Sequence, residues 1–379
     1  MKRPQIAIVS HDGSINAFGR ALVLADLLQD CGDTQLVAFG ESVWAPARGE
    51  REVTLLPPPR TTLGFPAAVR ALGRAVRSAD LIVASKQRVL SFGAAALIRG
   101  GRPLILDIDD LEHPFVRRRL GVIRQAVEPD REPITRLLEH WSGRSTARTV
   151  ASRALQRLYG GVWLPHIRDR EGYALRASAN GPAERLRLGL EGRFVVGVVG
   201  TARPHKGLLA AADAVAMMGD DVRLLIAGAP PSPGDLRVLD ERATGRLVVA
   251  GNVPIADLPG LLGACDAIVV PQSARSESVY QSPAKLLDAM ACGAAIVASD
   301  VGDAREILGD TGLLVPPDSP CALMEALTSL RDADLRNRLG SAAEARYSAA
   351  FALGTWQAVM AEIVGSALAG TRALPGVAT

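Results

Sequence analysis

The stretch SPAKLLDAMACGAAIVASD, residues 282–300, holds one complete helix-to-strand unit. Ser282 suits the N-cap, where a short hydroxyl accepts from first-turn amides, and Pro283 suits the first helical position. Gly293 suits the left-handed stop that closes a helix. Between them Leu286, Leu287 and Met290 share one helical face, while Lys285, Asp288 and Cys292 share the other, where Lys285 and Asp288 are spaced to pair. AAIVASD (294–300) is apolar without alternation, the pattern of a strand covered on both faces. The amides of Ala284 and Lys285 are left pointing out of the open helix start.

Working outward, the same unit recurs. RFVVGVVG (193–200), VRLLIAGAP (222–230), RLVVAGNV (246–253), DAIVVPQ (266–272) and TGLLVPP (311–317) read as further buried strands with helical segments between them. Upstream, QIAIV (5–9), QLVAF (35–39), ADLIVAS (79–85), RPLILDIDD (102–110), TARTVAS (146–152) and VWLPH (162–166) repeat the rhythm. Alternating strands and helices predict parallel sheets covered on both faces, so the fold class is α/β with two doubly wound domains. Residues 167–192 are polar and contain Gly and Pro, and read as a linker. The tail has helical patterning near 321–330, 332–350 and 354–369, and RALPGVAT at the end reads as frayed.

The 379 residues exceed one ordinary core, which also favours two domains. The chain is 48% hydrophobic, 22% charged and only 4% aromatic, so Ala, Leu, Val and Ile must build the interior. The net charge of +3 conceals an asymmetry. Residues 1–180 carry 26 Lys and Arg against 18 Asp and Glu, and the remainder 17 against 22. A basic first half suits an anionic partner or membrane surface. Basic-aromatic stacking motifs and finger spacings are missing, which speaks against nucleic acid. Cys31, Cys265, Cys292 and Cys321 are scattered, without CxxC pairs, against a disulfide framework or zinc site and in keeping with a reducing cytoplasm. The apolar run in MKRPQIAIVS is too short for a signal peptide, and no stretch reads as a spanning helix.

GVVGTARPHKG (197–207) follows a strand and precedes a helix. A Gly-rich turn at a helix start offers free amides and a positive dipole end to phosphate, and Arg203 and Lys206 add two cations. No GxGxxG stands here, and the next strand ends in Gly228 rather than an acidic ribose-binding residue, so a dinucleotide reading lacks support. Gly251, Asn252 and Val253 end another strand, either beside a bound base or as a plain turn in which Asn252 caps a helix. The loop QSARSESVYQ (272–281) keeps Glu277 and Tyr280 beside the helix mouth at Ser282. Two doubly wound domains bind ligands at their strand ends, which makes that region the default site.

The ordered set GTARPHKG, LLIAGAP, VVAGNVPIADLPGLLGACDAIVVP and SPAKLLDAMACGAAIVASDVGDAREILGDTGLLVPP resembles the nucleotide-sugar domain of glycosyltransferase family 4 over roughly 194–350. The first half matches loosely, with TVASRALQRLYGG and the closing AAFALGTWQAVMAEIV also in place. The resemblance implies a retaining GT-B enzyme with a first domain over 1–170, a nucleotide-sugar domain over 171–352 and a closing helix over 353–379 that returns to the first domain. It implies that Arg203, Lys206, Ser282, Ala284 and Lys285, with Gly13 from the first domain, hold the donor diphosphate. Asn252 and Val253 then lie by the base, and Asp288 grips the ribose in place of the second Glu of a paired-Glu motif. Tyr280 stands where the first Glu is expected, with Glu277 near but out of register. The strand-end His of many members is replaced by DIDD, in which Asp109 is the nearest match beside Asp107 and Asp110. Asp109 and Glu277 are therefore the catalytic candidates.

The implied reaction moves a sugar from a nucleotide diphosphate-sugar, UDP- or GDP-linked, to a glycan, lipid-linked or small-molecule acceptor with retention, in polysaccharide biosynthesis. No metal or other cofactor is expected. An epimerase of the same fold, acting on the donor alone, and a non-catalytic sugar-nucleotide-binding relative are the alternatives. The expected place is the cytoplasm, with FVRRRLGVIRQ (115–125) available for peripheral contact with an anionic membrane.

Overall fold

The computed structural model describes residues 3–113, 131–200, 206–228 and 232–370, without the side chains of Arg170, Ser276 and Glu277. FVRRRLGVIRQ, Arg203 and all of the closing RALPGVAT lie outside the described residues. The chain divides into two compact units, one of residues 1–166 with 354–379, the other of 167–353.

The first unit holds a seven-stranded sheet: β1 (Gln5–Ser10), β2 (Asp33–Phe39), β3 (Val53–Leu56), β4 (Leu81–Ser85), β5 (Leu104–Ile108), β6 (Ala147–Val150) and β7 (Val162–Trp163). Their order is β3-β2-β1-β4-β5-β6-β7 and every pairing is parallel. β1 and β4 are apolar almost throughout and buried on both faces, which is why they read as unbroken runs. The last helix, Leu353–Leu368, packs here: Trp356 meets Trp163 edge-on at 5.4 Å between ring centroids, and Gln357 donates to the Asp26 carbonyl.

The second unit holds β8 (Phe194–Val199), β9 (Val222–Ala227), β10 (Leu247–Gly251), β11 (Ala267–Val270), β12 (Ile296–Ser299) and β13 (Leu313–Val315), in the order β10-β9-β8-β11-β12-β13, all parallel. Val196, Val198, Leu224, Ile226, Val269 and Val297 form one face of its core, packed on Leu208, Ala211 and Val215 of the Leu208–Ala216 helix. In each sheet the strand order reverses beside the first strand, the arrangement that opens a crevice at the strand carboxyl ends.

Three sequence expectations are corrected. Residues 170–187 form an eighteen-residue helix rather than a linker. Tyr173, Ala177 and Gly181 recur every fourth residue, and the small Gly181 lets the Leu258–Gly263 helix approach until a Cβ would sit 2.6 Å from the Gly263 carbonyl oxygen. β3, four residues at the sheet edge, was not anticipated. Among the described residues, the helical stretch Ala333–Leu368 is long and apolar enough to cross a membrane by composition. It breaks near Phe351 into two helices whose Tyr347, Phe351, Trp356 and Met360 are buried in protein.

Candidate functional site

The site of the second unit gathers at the carboxyl ends of β8 and β11. Gly200 ends β8 with a left-handed φ of 110°, and its amide donates to Ala227 at 2.6 Å. The Lys285 side chain crosses this glycine: a Cβ there would fall 2.5 Å from Lys285 Nζ. Glycine at position 200 is thus what lets a cation rest on the strand end. Gly207, also left-handed, caps the Leu208–Ala216 helix, and a Cβ would collide with the Pro271 carbonyl. Lys206, one residue earlier, donates to Gln281 Oε1 at 2.9 Å, which brings it to the residue preceding Ser282.

The helix beyond runs Ala284–Ala291, and its cap is Pro283 rather than Ser282. Pro283 holds an extended backbone and its carbonyl accepts the first helical bond, from Leu286 at 2.9 Å. Ser282 therefore makes no cap bond. Its hydroxyl is buried and has no partner among the described residues. Ala284 and Lys285 occupy the first two helical positions, where an amide has no carbonyl within its own helix to reach. Two lysines, two helix-start amides and an unsatisfied hydroxyl thus converge on one mouth. That set suits a diphosphate, because fixed N–H groups and cations meet its charge without rearrangement.

Asp288 departs from its expected surroundings. It is buried, and its partner is Arg168, whose Nε donates to Oδ1 at 2.8 Å, instead of Lys285. Burial alone would lower the Arg168 pKa, yet the Asp288 carboxylate raises it above the usual guanidinium value. Tyr347 clamps the same residue, its hydroxyl accepting from the Arg168 amide and donating to the Arg168 carbonyl. Burial pushes the Tyr347 and Tyr173 hydroxyls up as well. Asn252 is exposed beyond Gly251 and Val253 half-buried beside it. The short helix that follows is capped by Pro254, so Asn252 caps nothing there. The loop before Ser282 contains a four-residue helix, Ser276–Val279, with Tyr280 at its end.

In the first unit the three carboxylates of DIDD part company. Asp107 is fully buried and bidentate to Arg20, at 2.9 and 2.8 Å, and accepts from Thr149. Asp109 and Asp110 turn to Lys86, whose Nζ lies 3.0 Å from Asp109 Oδ2 and 2.6 Å from Asp110 Oδ2. Glu112 lies 3.1 Å from the same ammonium and also meets Arg88 at 2.9 Å. His166 takes the other Asp109 oxygen, Nε2 to Oδ1 at 2.9 Å. Burial would raise the Asp109 pKa, but Lys86, His166 and Arg20 hold it well below the carboxylate range. The carboxylates are thus matched by cations, and no group of three metal-ligating side chains occurs among the described residues. Gly13 sits after β1 with its amide already donating to Phe39 at 2.7 Å, so a phosphate there must use its neighbours. Lys86, Arg168 and His166 were not singled out from the sequence; their partners lie 23 or more positions away, beyond any local pattern.

Residues 193–332 match the family model described as glycosyl transferases, group 1. This segment is a group 1 glycosyltransferase domain. The glycosyltransferase domain spans β8 to β13 and contains every second-unit residue just described except Arg168, Tyr173 and Tyr347. The chain is 32% identical over 188 residues to the D-rhamnosyltransferase WbpZ of Pseudomonas aeruginosa, covering 48% of this chain and 47% of that protein. It is 33% identical over 187 residues to a phosphatidyl-myo-inositol mannosyltransferase of Mycolicibacterium smegmatis, covering 46% and 44%. It spans about half the length of these curated relatives. The whole fold is similar to HepE of Anabaena, solved with UDP and glucose, with a TM-score of 0.75 at 22% identity over 96% of this chain and all of that one. It is also similar to sucrose-phosphate synthase of Thermosynechococcus elongatus, with a TM-score of 0.74 at 19% identity over 97% of this chain and all of that one. The architecture is GT-B.

Proposed function

We propose that this protein transfers a sugar from a nucleotide diphosphate-sugar, UDP- or GDP-linked, to a hydroxyl of a glycan, lipid-linked or small-molecule acceptor, with retention of configuration. The observation that carries the reading is the Ser282–Lys285 mouth: a helix start whose cap, Pro283, offers its amides no side-chain acceptor, a buried hydroxyl with no partner among the described residues, and Lys285 laid over Gly200. These groups are aimed at a leaving diphosphate, where negative charge grows as the anomeric bond breaks. Arg203 is proposed to join Lys206 there, Asn252 and Val253 to flank the base, and Asp288 to meet the ribose through the oxygen that Arg168 leaves open. Asp109 and Glu277 are the carboxylates proposed near the reacting sugar and acceptor. No metal is required, because two lysines and helix amides supply the positive field. The acceptor belongs to the first unit in this reading, with FVRRRLGVIRQ offering contact to anionic lipid at the cytoplasmic face of a membrane.

The test is calorimetric titration with UDP, GDP, ADP and dTDP, with chelator present throughout, followed by proton NMR of the anomeric product. One nucleoside diphosphate should bind with micromolar affinity, and lose at least tenfold in Lys206→Ala and Lys285→Ala. Equal, millimolar binding of all four would sink the donor assignment; a β-configured product from an α-configured donor would sink retention.

A further inference from the structure

We infer, resting on the donor reading above, that Arg168 is a positioning residue for the donor's ribose. It occupies one oxygen of Asp288 and leaves the other for a ribose hydroxyl, which selects ribonucleoside over deoxyribonucleoside diphosphates.

Arg168, Asp288 and Tyr347 all belong to the second unit. Asp288 lies on the Ala284–Ala291 helix three residues beyond Lys285, about 4.5 Å further along the axis at the usual rise per residue. That step is the scale on which a ribose follows its own phosphate. Asp288 Oδ1 accepts from Arg168 Nε at 2.8 Å, and no hydrogen bond reaches Oδ2 among the described residues. The carboxylate is nearly enclosed, with 6% of its side chain still accessible. A buried anion is stable when its acceptor capacity is met, so an oxygen left over beside a binding mouth is one that a ligand's donor completes.

The Arg20–Asp107 pair of the first unit shows the closed alternative. There Nε and Nη2 take both carboxylate oxygens and Thr149 adds a further bond, which leaves little for a ligand. Arg168 instead sets one nitrogen on one oxygen. Its anchorage accounts for the difference. The Tyr347 hydroxyl accepts from the Arg168 amide at 2.7 Å and donates to the Arg168 carbonyl at 2.9 Å. Tyr347 is itself fully buried on the Ala333–Ala350 helix. The backbone at position 168 is thus held from another helix, and the guanidinium cannot slide to fork across both oxygens.

A short side chain tethered at one oxygen keeps the other pointing one way. A ribose hydroxyl donates to it. A deoxy sugar brings only a C–H to that place and leaves the buried carboxylate unmet, which a site built for a hydroxyl penalises.

The experiment is calorimetric titration of the full chain with UDP, GDP and their 2′-deoxy and 3′-deoxy forms. For the base that binds, one deoxy form should bind about tenfold more weakly than the ribonucleotide. Arg168→Lys keeps a cation beside Asp288, so no buried anion is stranded, but removes the guanidinium nitrogen. It should bring that ratio within about threefold by weakening the ribonucleotide, with the deoxy form nearly unchanged. Tyr347→Phe leaves both charged side chains in place and should act the same way. It carries the test where near-UV circular dichroism shows Arg168→Lys unfolded. A ratio that stays near its original value overturns the inference. So does a parallel loss of ribo and deoxy forms, which is what a merely structural pair would give. An unmodified chain that binds UDP or GDP yet ignores the sugar hydroxyls also overturns it and leaves the diphosphate grip standing. Binding of neither ribonucleotide overturns the donor reading instead.

Discussion

Arg168 and Asp288, 120 positions apart, form a charged hydrogen bond of 2.8 Å inside the second unit. The pair joins the segment just after β7 to the helix whose start forms the proposed diphosphate grip. Removing one member strands the other as a buried charge, which costs more than the pair contributes. Asp288→Ala should therefore destabilise the second unit by about 3 kcal/mol in urea unfolding. Arg168→Met combined with Asp288→Leu should recover much of that loss, and an additive double mutant would show the two act independently.

Ser282 separates two roles that the sequence alone confuses. An N-cap serine replaced by alanine costs about 1 kcal/mol. Because Pro283 holds the cap, Ser282→Ala should change stability by under about 0.5 kcal/mol, yet weaken nucleoside diphosphate binding severalfold. Thermal unfolding and calorimetry on the same variant read both quantities.

Gly200→Ala places a methyl where Lys285 lies and forces alanine into a left-handed backbone. The lysine has to move off the strand end. Diphosphate affinity should fall about tenfold or more, and Lys285→Ala in the same background should add little, because the contact is already gone. Full additivity of the two losses would count against the placement.

Acid should act through Asp109. Its folded pKa lies below its unfolded value near 3.9, so its contribution is present at neutral pH and fades as pH falls below about 4 toward the folded value. Lys86 runs the other way. Its folded pKa lies above the unfolded 10.4, so its contribution holds below that pH and is lost only as pH rises toward the folded value. Urea unfolding from pH 7 to 3 should show a loss that Asp109→Asn flattens.

Much of the architecture was legible because central parallel strands are apolar on both faces: FVVGVV, VRLLIA and AIVV need no tertiary information to be recognised. β3 escaped because VTLL is short and lies at an edge, half-covered. The Arg170–Arg187 helix escaped because its buried stripe is Tyr173, Ala177 and Gly181, too small and too sparse to outweigh a polar composition. In the site, Lys285 and Ser282 were visible because they sit within one local motif. Arg168 on Asp288 and His166 on Asp109 were not, since each pairing is made by the path of the chain between distant strands.

The contact of Trp356 with Trp163 bears on how the protein comes into being. The second unit is one continuous piece of chain, residues 167–353, whereas the first needs residues from 354 onward. A ribosome therefore finishes every strand of the first sheet long before it makes the helix that shields Trp163. The first unit is completed only after the second has been made, and its Trp163 face stays uncovered until the Leu353–Leu368 helix emerges.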